Sequence, residues 1–243
     1  WDAVQDQPGL QLRAGRRVQG VRAVDAGQQV LLDDGSTVQA RLVVAADSRF
    51  SSTRRMLGIG ARLQDFGKTM LVCRMQVERD HHHTAWEWFG YGRTMALLPL
   101  NGGLASAVIT LPPRQAEALL AMDEDAFGDA VSGFFEHRLG RMQPVAMPQA
   151  YPLVGVYADR FIAAGAALIG DAAVGMHPVT AHGFNLGLAS QQQLARGVIA
   201  QQARGGDIAD ARMLARYQRE HRLASRPLYE ATNAIARGYT DDR

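Results

Sequence analysis

The first stretch of the chain, residues 10–46, is a series of short apolar segments separated by turns. Its turn sequence Asp33–Ser36 contains an Asp-Gly pair, which tolerates the positive φ of a tight hairpin. The stretch closes on the uninterrupted apolar run Val43–Ala46, which Asp47 follows. Such a run predicts a strand buried on both faces of a layered sheet, with the acid at the carboxyl end where open α/β sheets bind ligands.

The second stretch, residues 66–110, alternates between apolar and polar positions. Every second residue from Leu71 to Val77 is apolar, and later apolar segments are separated by turn residues. This pattern is typical of a half-buried antiparallel sheet. One helix is predicted after Pro112-Pro113, and another from Asp123, a good N-cap residue.

The third stretch begins with the apolar run Phe161–Ile169 and continues into Gly170-Asp171. A loop rich in Gly, Pro and Thr then leads to a helix predicted from Gly183 towards Gln202. A longer helix is predicted over residues 208–236, and its spacing places five residues on the inner face: Leu214, Tyr217, His221, Leu228 and Ile235. Layered strands combined with helices predict an α/β (α+β) fold.

The amino-acid composition is typical of a globular protein and gives no sign of nucleic-acid binding, membrane spans or disulfides. Hydrophobic residues make up 47% and charged residues 21% of the 243 residues, and 26 basic residues nearly balance 24 acidic ones. We therefore expect no nucleic-acid surface, and no apolar run reaches the ~20 residues of a membrane-spanning helix. The one cysteine, Cys73, excludes an internal disulfide and a cysteine-rich metal cluster, which favours a cytoplasmic location.

Several histidines and tryptophans are weaker candidates for chemistry. We expect His81–His83 to form a solvated loop and predict no metal site, because adjacent side chains point in different directions. Trp86 and Trp88 are interpreted as core aromatics or as the wall of a substrate chamber. His177 and His182 either face a ligand or form hydrogen bonds within their loop, and both alternatives stay open. No residue is assigned as catalytic.

The segment after Gly170-Asp171 has the properties of a ligand-binding connection. Small residues allow a bulky ligand to approach the backbone, and an acid at a strand end can accept hydrogen bonds from sugar hydroxyls. The predicted helix would direct the unpaired N–H groups of Gly183, Phe184 and Asn185 at a negatively charged group. The alternative is a strand-loop-helix connection that is merely rich in glycine.

This segment resembles the Gly-Asp flavin-binding motif of the class A FAD-dependent aromatic monooxygenases, the para-hydroxybenzoate hydroxylase superfamily. His177-Pro178 followed by Gly183–Leu188 is most similar to the ubiquinone-biosynthesis hydroxylases. Those enzymes usually have Gly-Gln-Gly at the positions of Ala181–Gly183 and an acid near Ser190. The variant loop resembles a subgroup that hydroxylates demethoxyubiquinol at ring carbon 5.

A second motif supports the resemblance. Residues 47–54 are similar to the family sequence Asp-Gly-x-x-Ser-x-x-Arg, with Ser48 in place of the glycine. The resemblance implies that Asp47 and Arg54 lie near the pyrophosphate or ribityl part of the flavin. It also implies that Asp47 and Asp171 follow two neighbouring strands and converge on one dinucleotide-sized groove. The alternative is a helix start capped by serine.

The resemblance implies FAD as cofactor, NAD(P)H as co-substrate and O₂ as the source of the oxygen atom. It predicts hydroxylation of a small aromatic or prenylated quinone precursor by a monooxygenase. Alternatives are a flavin-dependent reductase or halogenase of the same superfamily, or a non-catalytic homologue lacking FAD. Peripheral association with the inner membrane and a homodimer are left open. The predicted cofactor-binding residues are Asp47, Arg54, Gly170, Asp171, Pro178, Gly183, Phe184 and Asn185.

The family's N-terminal Gly-x-Gly-x-x-Gly fingerprint does not occur in this sequence. Gly58-Ile59-Gly60 lacks the third glycine, since Leu63 stands at that position. We therefore expect a fragment truncated at its N-terminus, which in isolation binds FAD poorly and is inactive. The predicted organisation is the remainder of an FAD-binding Rossmann-like domain over residues 1–65, an antiparallel-sheet substrate domain over 66–155, and a return to the FAD-binding domain with C-terminal helices over 156–243.

Overall fold

The computed structural model describes residues 2–25, 27–90 and 92–240. The fold is a mixture of strands and helices, which confirms the predicted α/β (α+β) class. The strands are β1 (Val18–Val24), β2 (Gly27–Leu32), β3 (Thr37–Ala40), β4 (Val43–Ala45), β5 (Ala61–Val77), β6 (Trp86–Gly90), β7 (Arg93–Pro99), β8 (Leu104–Leu111), β9 (Met142–Pro144), β10 (Gln149–Ala158), β11 (Ile162–Ala163), β12 (Ala166–Leu168) and β13 (Val174–Gly175). The α-helices are α1 (Asp2–Gln5), α2 (Ser52–Met56), α3 (Pro113–Leu120), α4 (Glu124–Phe134), α5 (Gly183–Ala203) and α6 (Ala211–Thr240).

The chain divides into two compact units. The first unit comprises residues 1–62, 156–176 and 181–229, and the second comprises residues 63–155, 177–180 and 230–243. Strand β10 and helix α6 each contribute residues to both units. The assignment of residues 1–65 and 156–243 to FAD, and of residues 66–155 to substrate, stays a prediction about function.

Two small sheets form the framework of the first unit. Strands β1, β2 and β3 make an antiparallel meander, and the predicted turn between β2 and β3 is confirmed. There Gly35 has a φ of +80°, and the Ser36 N–H donates to the Asp34 carboxylate over 2.9 Å. The second sheet has the order β11-β12-β4, with β12 and β4 parallel.

One expectation for this second sheet is wrong. The run Val43–Ala46 was expected to be buried on both faces, but β4 is an edge strand among the described residues, and Val44 is 42% exposed. The apolar run Phe161–Ile169 contains two strands, β11 and β12, which form an antiparallel hairpin. Gly165 has a φ of +61° in its turn, a conformation that glycine adopts without steric cost, so the chain reverses inside an apolar run.

The second unit contains the predicted antiparallel sheet. Strand β8 pairs with β5 on one side and with β7 on the other, β7 pairs with β6, and β9 pairs with β5, all antiparallel. Trp88 packs edge-on against Phe135 at 5.3 Å between ring centroids, and the Arg138 guanidinium lies 5.6 Å from the Trp88 ring. Trp86 and Trp88 both pack against the core, which favours their interpretation as core aromatics. Fully buried residues of this core include Leu71, Met75, Leu97, Ile109, Val131 and Phe135.

Helix starts follow local sequence closely. Helix α3 begins at Pro113, and the Asp123 carboxylate caps α4 by accepting the Ala126 N–H over 2.8 Å. Helices α5 and α6 occupy the two predicted stretches. None of the described helices combines the length and apolarity needed to cross a membrane.

The predicted inner face of α6 is wrong over its second half. Leu214, Tyr217 and His221 are buried as expected, but Leu228 and Ile235 are 39% and 40% exposed. The buried positions there are instead occupied mostly by small or polar side chains: Ser225, Tyr229, Thr232, Asn233 and Ala236. The spacing of hydrophobic residues therefore predicts the wrong buried face here. Close packing favours small side chains on this face, and hydrogen bonds allow polar side chains to be buried.

The prediction that His81–His83 form a solvated loop is wrong for His81. His81 is 5% exposed, whereas the side chain of His82 is 82% exposed. The His83 N–H donates to Nδ1 of His81 over 3.0 Å, so Nε2 carries the proton and donates to the Leu100 carbonyl over 3.0 Å. Among residues 2–25, 27–90 and 92–240, no group of three or more His, Cys, Asp or Glu side chains is arranged to hold a metal ion.

Two glycines of α4 provide a matched test of this packing. A Cβ added to Gly128 would lie 2.6 Å from the Met142 carbonyl oxygen, whereas one added to Gly133 would meet nothing within 4 Å. We expect Gly128→Ala to lower the free energy of unfolding by about 1–3 kcal/mol through overpacking. Gly133→Ala should raise it by up to about 1 kcal/mol, because alanine favours the helix. Denaturant unfolding of the full-length protein measures both, and equal effects would contradict the observed packing of α4 on β9.

Candidate functional site

The candidate site begins at the ends of two neighbouring strands. In the parallel pair formed by β4 and β12, Leu168 lies opposite Ala45. Asp47 lies two residues after the end of β4, and Asp171 follows β12 within a single 3₁₀ turn. The prediction that the two acids follow adjacent strands is therefore confirmed, and both lie at the carboxyl edge of one sheet, where α/β proteins bind ligands.

Asp47 organises the turn that leads into α2. Its carboxylate accepts hydrogen bonds from the Ser51 hydroxyl at 2.5 Å and from the Thr53 N–H at 3.0 Å. Partial burial raises the pKa of the Asp47 carboxyl, but these hydrogen bonds outweigh it, so that the pKa is lowered overall. Ser51 also caps α2 by accepting the Arg54 N–H over 2.8 Å. The capped helix start and the acid-containing motif thus belong to the same network.

Ser48 stands where the resembled motif has glycine. Its φ is +157°, at the margin of the region that favours glycine. The chain nevertheless completes the turn, and the Ser51 N–H donates to the Ser48 carbonyl over 3.0 Å.

Asp171 is paired with Arg49, a residue for which the sequence motifs indicated no role. The Arg49 guanidinium donates to the Asp171 carboxylate over 3.0 Å, and the two side chains are 27% and 35% exposed. A Cβ on Gly175 would lie 3.1 Å from the Cβ of Arg49, so glycine provides room for this approach. The only sequence signal was a basic residue two positions after Asp47, and its partner could not be known before the strands paired.

Arg54 is buried between the two loops. It is 4% exposed and donates to the Ala172 carbonyl at 2.9 Å and to the Arg49 carbonyl at 3.1 Å. Burial, followed by the charge of Arg55, lowers the pKa of Arg54. In this arrangement Arg54 ties the loop after β4 to the loop after β12. A direct contact with a cofactor stays a prediction.

Gly170 makes the turn between β12 and Asp171. Its φ is +56°, a left-handed conformation that suits glycine, and its N–H donates to the Ser190 hydroxyl over 3.0 Å. A Cβ on Gly187 would lie 3.6 Å from the Gly170 Cα, so α5 packs closely on this turn. The turn is therefore seated directly on the first half of α5.

The N-terminus of α5 is open to ligands. Helix α5 begins at Gly183, and no side chain of His182 caps it. Phe184 is 77% exposed, and Asn185 is also exposed. The first backbone N–H groups of a helix have no intrahelical acceptor, and together with the helix dipole they stabilise negative charge. Gly183, Phe184 and Asn185 are thus placed as the sequence predicted, while their contact with a cofactor stays a prediction.

The loop before α5 is part of the second unit. His177 is 4% exposed, its Nδ1 accepts the Val179 N–H over 3.2 Å, and its ring packs on Phe66 at 4.7 Å. Hydrogen bonding within the loop is therefore observed for His177, and a contact between its ring and a ligand stays a prediction. His182 is exposed, and its two alternatives stay open. Pro178 is exposed and begins a 3₁₀ turn, and its predicted role beside a cofactor stays a prediction.

The candidate site therefore combines the carboxylates of Asp47 and Asp171, the guanidinium of Arg49 and the N-terminus of α5. Carboxylates accept hydrogen bonds from the hydroxyl groups of a sugar or sugar alcohol. Guanidinium and helix N–H groups suit phosphate oxygens or other delocalised negative charge. This donor and acceptor set fits a ligand that combines hydroxyls, phosphates and an anionic ring edge, as FAD does.

Sequence comparison finds a family and several relatives. The family described as FAD binding domain matches residues 2–232. Ubiquinone hydroxylase UbiM of Neisseria meningitidis is 45% identical over 225 residues, which cover 93% of this chain and 49% of that protein. Ubiquinone hydroxylase UbiL of Rhodospirillum rubrum is 35% identical, with 97% of this chain and 55% of that protein covered. The chain thus spans about half the length of the curated relatives it matches.

Solved structures share the fold. PqsL of Pseudomonas aeruginosa, described as a probable FAD-dependent monooxygenase, superposes with a TM-score of 0.72 at 23% identity, covering 93% of this chain and 64% of that one. HpxO of Klebsiella pneumoniae, solved with FAD and uric acid, gives a TM-score of 0.72 at 22% identity, covering 94% of this chain and 59% of that one. At these identities the likeness establishes the fold alone.

Proposed function

Because the chain belongs to the FAD binding domain family of class A monooxygenases, we propose that it is part of an enzyme that hydroxylates the aromatic ring of a ubiquinone precursor. The family match confirms the resemblance drawn from the two motifs, and the cofactor of the family is FAD. The whole protein would use FAD, NAD(P)H and O₂. The hydroxylated ring position, at carbon 5 in the subgroup that the loop resembles, is part of this proposal.

One observation carries the proposal. Asp47 and Asp171 follow adjacent parallel strands, and the uncapped N-terminus of α5 lies a short loop further along the chain. Asp47 and Asp171 are far apart along the chain, and the parallel pairing of β4 with β12 brings them to the same edge of the sheet. Two acids at one carboxyl edge are an arrangement that a glycine-rich connection without a ligand does not need.

Each residue of the candidate site in the first unit has a role in this proposal. Asp171, held by Arg49, would accept hydrogen bonds from hydroxyl groups of the cofactor. Asp47, kept ionised by its hydrogen bonds, would hold the turn beside the cofactor, and Arg54 would hold the two loops together. The N–H groups of Gly183, Phe184 and Asn185 would stabilise negative charge on the ring edge of the cofactor. When bound, FAD supplies the transfer of electrons from NAD(P)H to O₂ that hydroxylation requires.

The substrate class is proposed from the relatives. Proteins named ubiquinone hydroxylase and 3-demethoxyubiquinol 3-hydroxylase match 90% or more of this chain. A prenylated phenol suits such an enzyme, and its apolar tail would bring the whole protein to the surface of the inner membrane from the cytoplasmic side. A homodimer stays a prediction from the resemblance.

The test uses the full-length protein with FAD, NAD(P)H, ¹⁸O₂ and a short-chain prenylphenol. We expect one ¹⁸O atom in the ring of the product, detected by mass spectrometry. Oxidation of NAD(P)H that yields only hydrogen peroxide across a panel of prenylphenols would contradict hydroxylation. Reduction of the substrate, or halogenation when halide is supplied, would indicate one of the alternative flavoenzyme activities, and failure to bind FAD would indicate a non-catalytic homologue.

A further inference from the structure

Two buried hydroxyl groups bind the backbone at the end of β12. Ser190 of α5 is 0% exposed and accepts the Gly170 N–H over 3.0 Å. Tyr217 of α6 is 2% exposed, and its hydroxyl donates to the Leu168 carbonyl over 2.5 Å. The two side chains thus bind backbone groups on either side of Ile169, one from each helix.

The direction of each hydrogen bond is determined. The Ser190 hydroxyl has one proton, which it donates to the Gly187 carbonyl over 2.6 Å, so its oxygen is left to accept the Gly170 N–H. Burial raises the pKa of the Tyr217 phenol, while the nearby Ser190 hydroxyl lowers it by less. Tyr217 therefore stays protonated and can act as a donor. The backbone from Leu168 to Gly170 is held by one acceptor and one donor that cannot exchange roles.

One of these bonds acts on a glycine in the loop. Gly170 has a φ of +56°, and glycine populates many other conformations at little cost. With its N–H bound to Ser190, Gly170 directs the next residue, Asp171, towards Arg49. Because Ser190 lies on α5, the same bond also sets the turn against the helix whose N-terminus is Gly183.

We propose that Ser190 and Tyr217 are positioning residues that hold the Gly170-Asp171 turn in the geometry that binds FAD. The inference rests on the proposed function, since it concerns the same site. Neither side chain contacts the cofactor in this proposal, because both are buried behind the turn. The effect is preorganisation: the turn does not have to be ordered when the cofactor binds.

The first unit offers a matched control. Tyr157 and Ser225 are also a buried tyrosine and serine, 7% and 0% exposed, and their hydroxyls are 3.2 Å apart. They bind each other and not the backbone of the turn. If buried hydroxyl groups matter only for stability, removing the hydroxyls of either pair of residues should change the Kd for FAD equally.

The experiment compares Ser190→Ala and Tyr217→Phe with Ser225→Ala and Tyr157→Phe in the full-length protein. For each variant, unfolding, the Kd for FAD and the visible circular dichroism of bound flavin are measured. We expect Ser190→Ala and Tyr217→Phe each to raise the Kd by about five- to tenfold, the worth of about one hydrogen bond. Both should change the flavin dichroism, whereas the control variants should leave the Kd within about twofold of wild type.

The outcomes separate this inference from the proposed function. Wild-type protein that binds FAD, with Kd values and flavin dichroism unchanged in Ser190→Ala and Tyr217→Phe, overturns the positioning role alone. The same holds if the control pair raises the Kd as much, because the effect is then one of general stability. Wild-type protein that does not bind FAD overturns the proposed function and this inference with it.

Discussion

Lowering the pH from 7 to 4 is expected to remove about 3 kcal/mol from the free energy of unfolding through His221 alone. His221 is 1% exposed, and burial lowers its pKa from 6.5 to about 4. Its ring is stacked on Tyr217 at 5.9 Å and lies 5.3 Å from the Phe161 ring. Among the described residues, its Nδ1 has no hydrogen-bond partner. Burial is therefore the cause of the lowered pKa, because a charged imidazolium is costly to bury.

The direction of this change in stability follows from proton uptake by His221. Between pH 6.5 and about 4, an unfolded chain protonates this histidine while the folded protein does not. Stability from His221 is thus complete above pH 6.5 and is lost as the pH falls towards 4. His221→Phe keeps an aromatic ring and should remove this part of the pH dependence, whereas His82→Gln, at an exposed histidine, should not. Unfolding curves of wild type and His221→Phe that run parallel from pH 7 to 4 would contradict the prediction.

Asp171→Asn is expected to raise the Kd of the full-length protein for FAD by about 10- to 100-fold, because hydrogen bonds to a charged group contribute about 1.5–3 kcal/mol. The substitution keeps the size of the side chain but removes the charge that Arg49 holds in place at 3.0 Å. It should also lower the turnover number less than it weakens binding, since Asp171 holds the cofactor and takes no part in oxygen transfer in the proposed function. Titration of the cofactor-free protein with FAD, followed by flavin fluorescence, measures the change.

Asp34→Asn is the matched control for this substitution. Asp34 lies in the turn between β2 and β3, where its carboxylate accepts from Ser36 and pairs with Arg16 at 3.3 Å. The variant removes the same unit of charge from the same compact unit, but not from the candidate site. If both variants weaken FAD binding equally, the effect comes from net charge and the role proposed for Asp171 is wrong.

The sequence predicted those features that depend on neighbours along the chain. The turn at Asp33–Ser36, the cap at Asp123 and the helix from Gly183 each follow from residues a few positions apart. The pairing of the strands before Asp47 and Asp171 was also expected, but from resemblance to a family and not from the chemistry of either segment. Periodicity alone assigned the wrong residues to the second half of α6, where Ser225 and Thr232 are buried in place of Leu228 and Ile235.

Local sequence therefore determined where turns, caps and most helices begin, together with the residue types from which the site is built. Only the tertiary structure decided that Arg49 meets Asp171, that Arg54 faces inward to two carbonyls, and that Ser190 and Tyr217 hold the turn from behind. The physical reason is distance along the chain. A cap or a turn is stabilised by hydrogen bonds between residues a few positions apart, whereas these contacts join segments that meet only after strands and helices have packed.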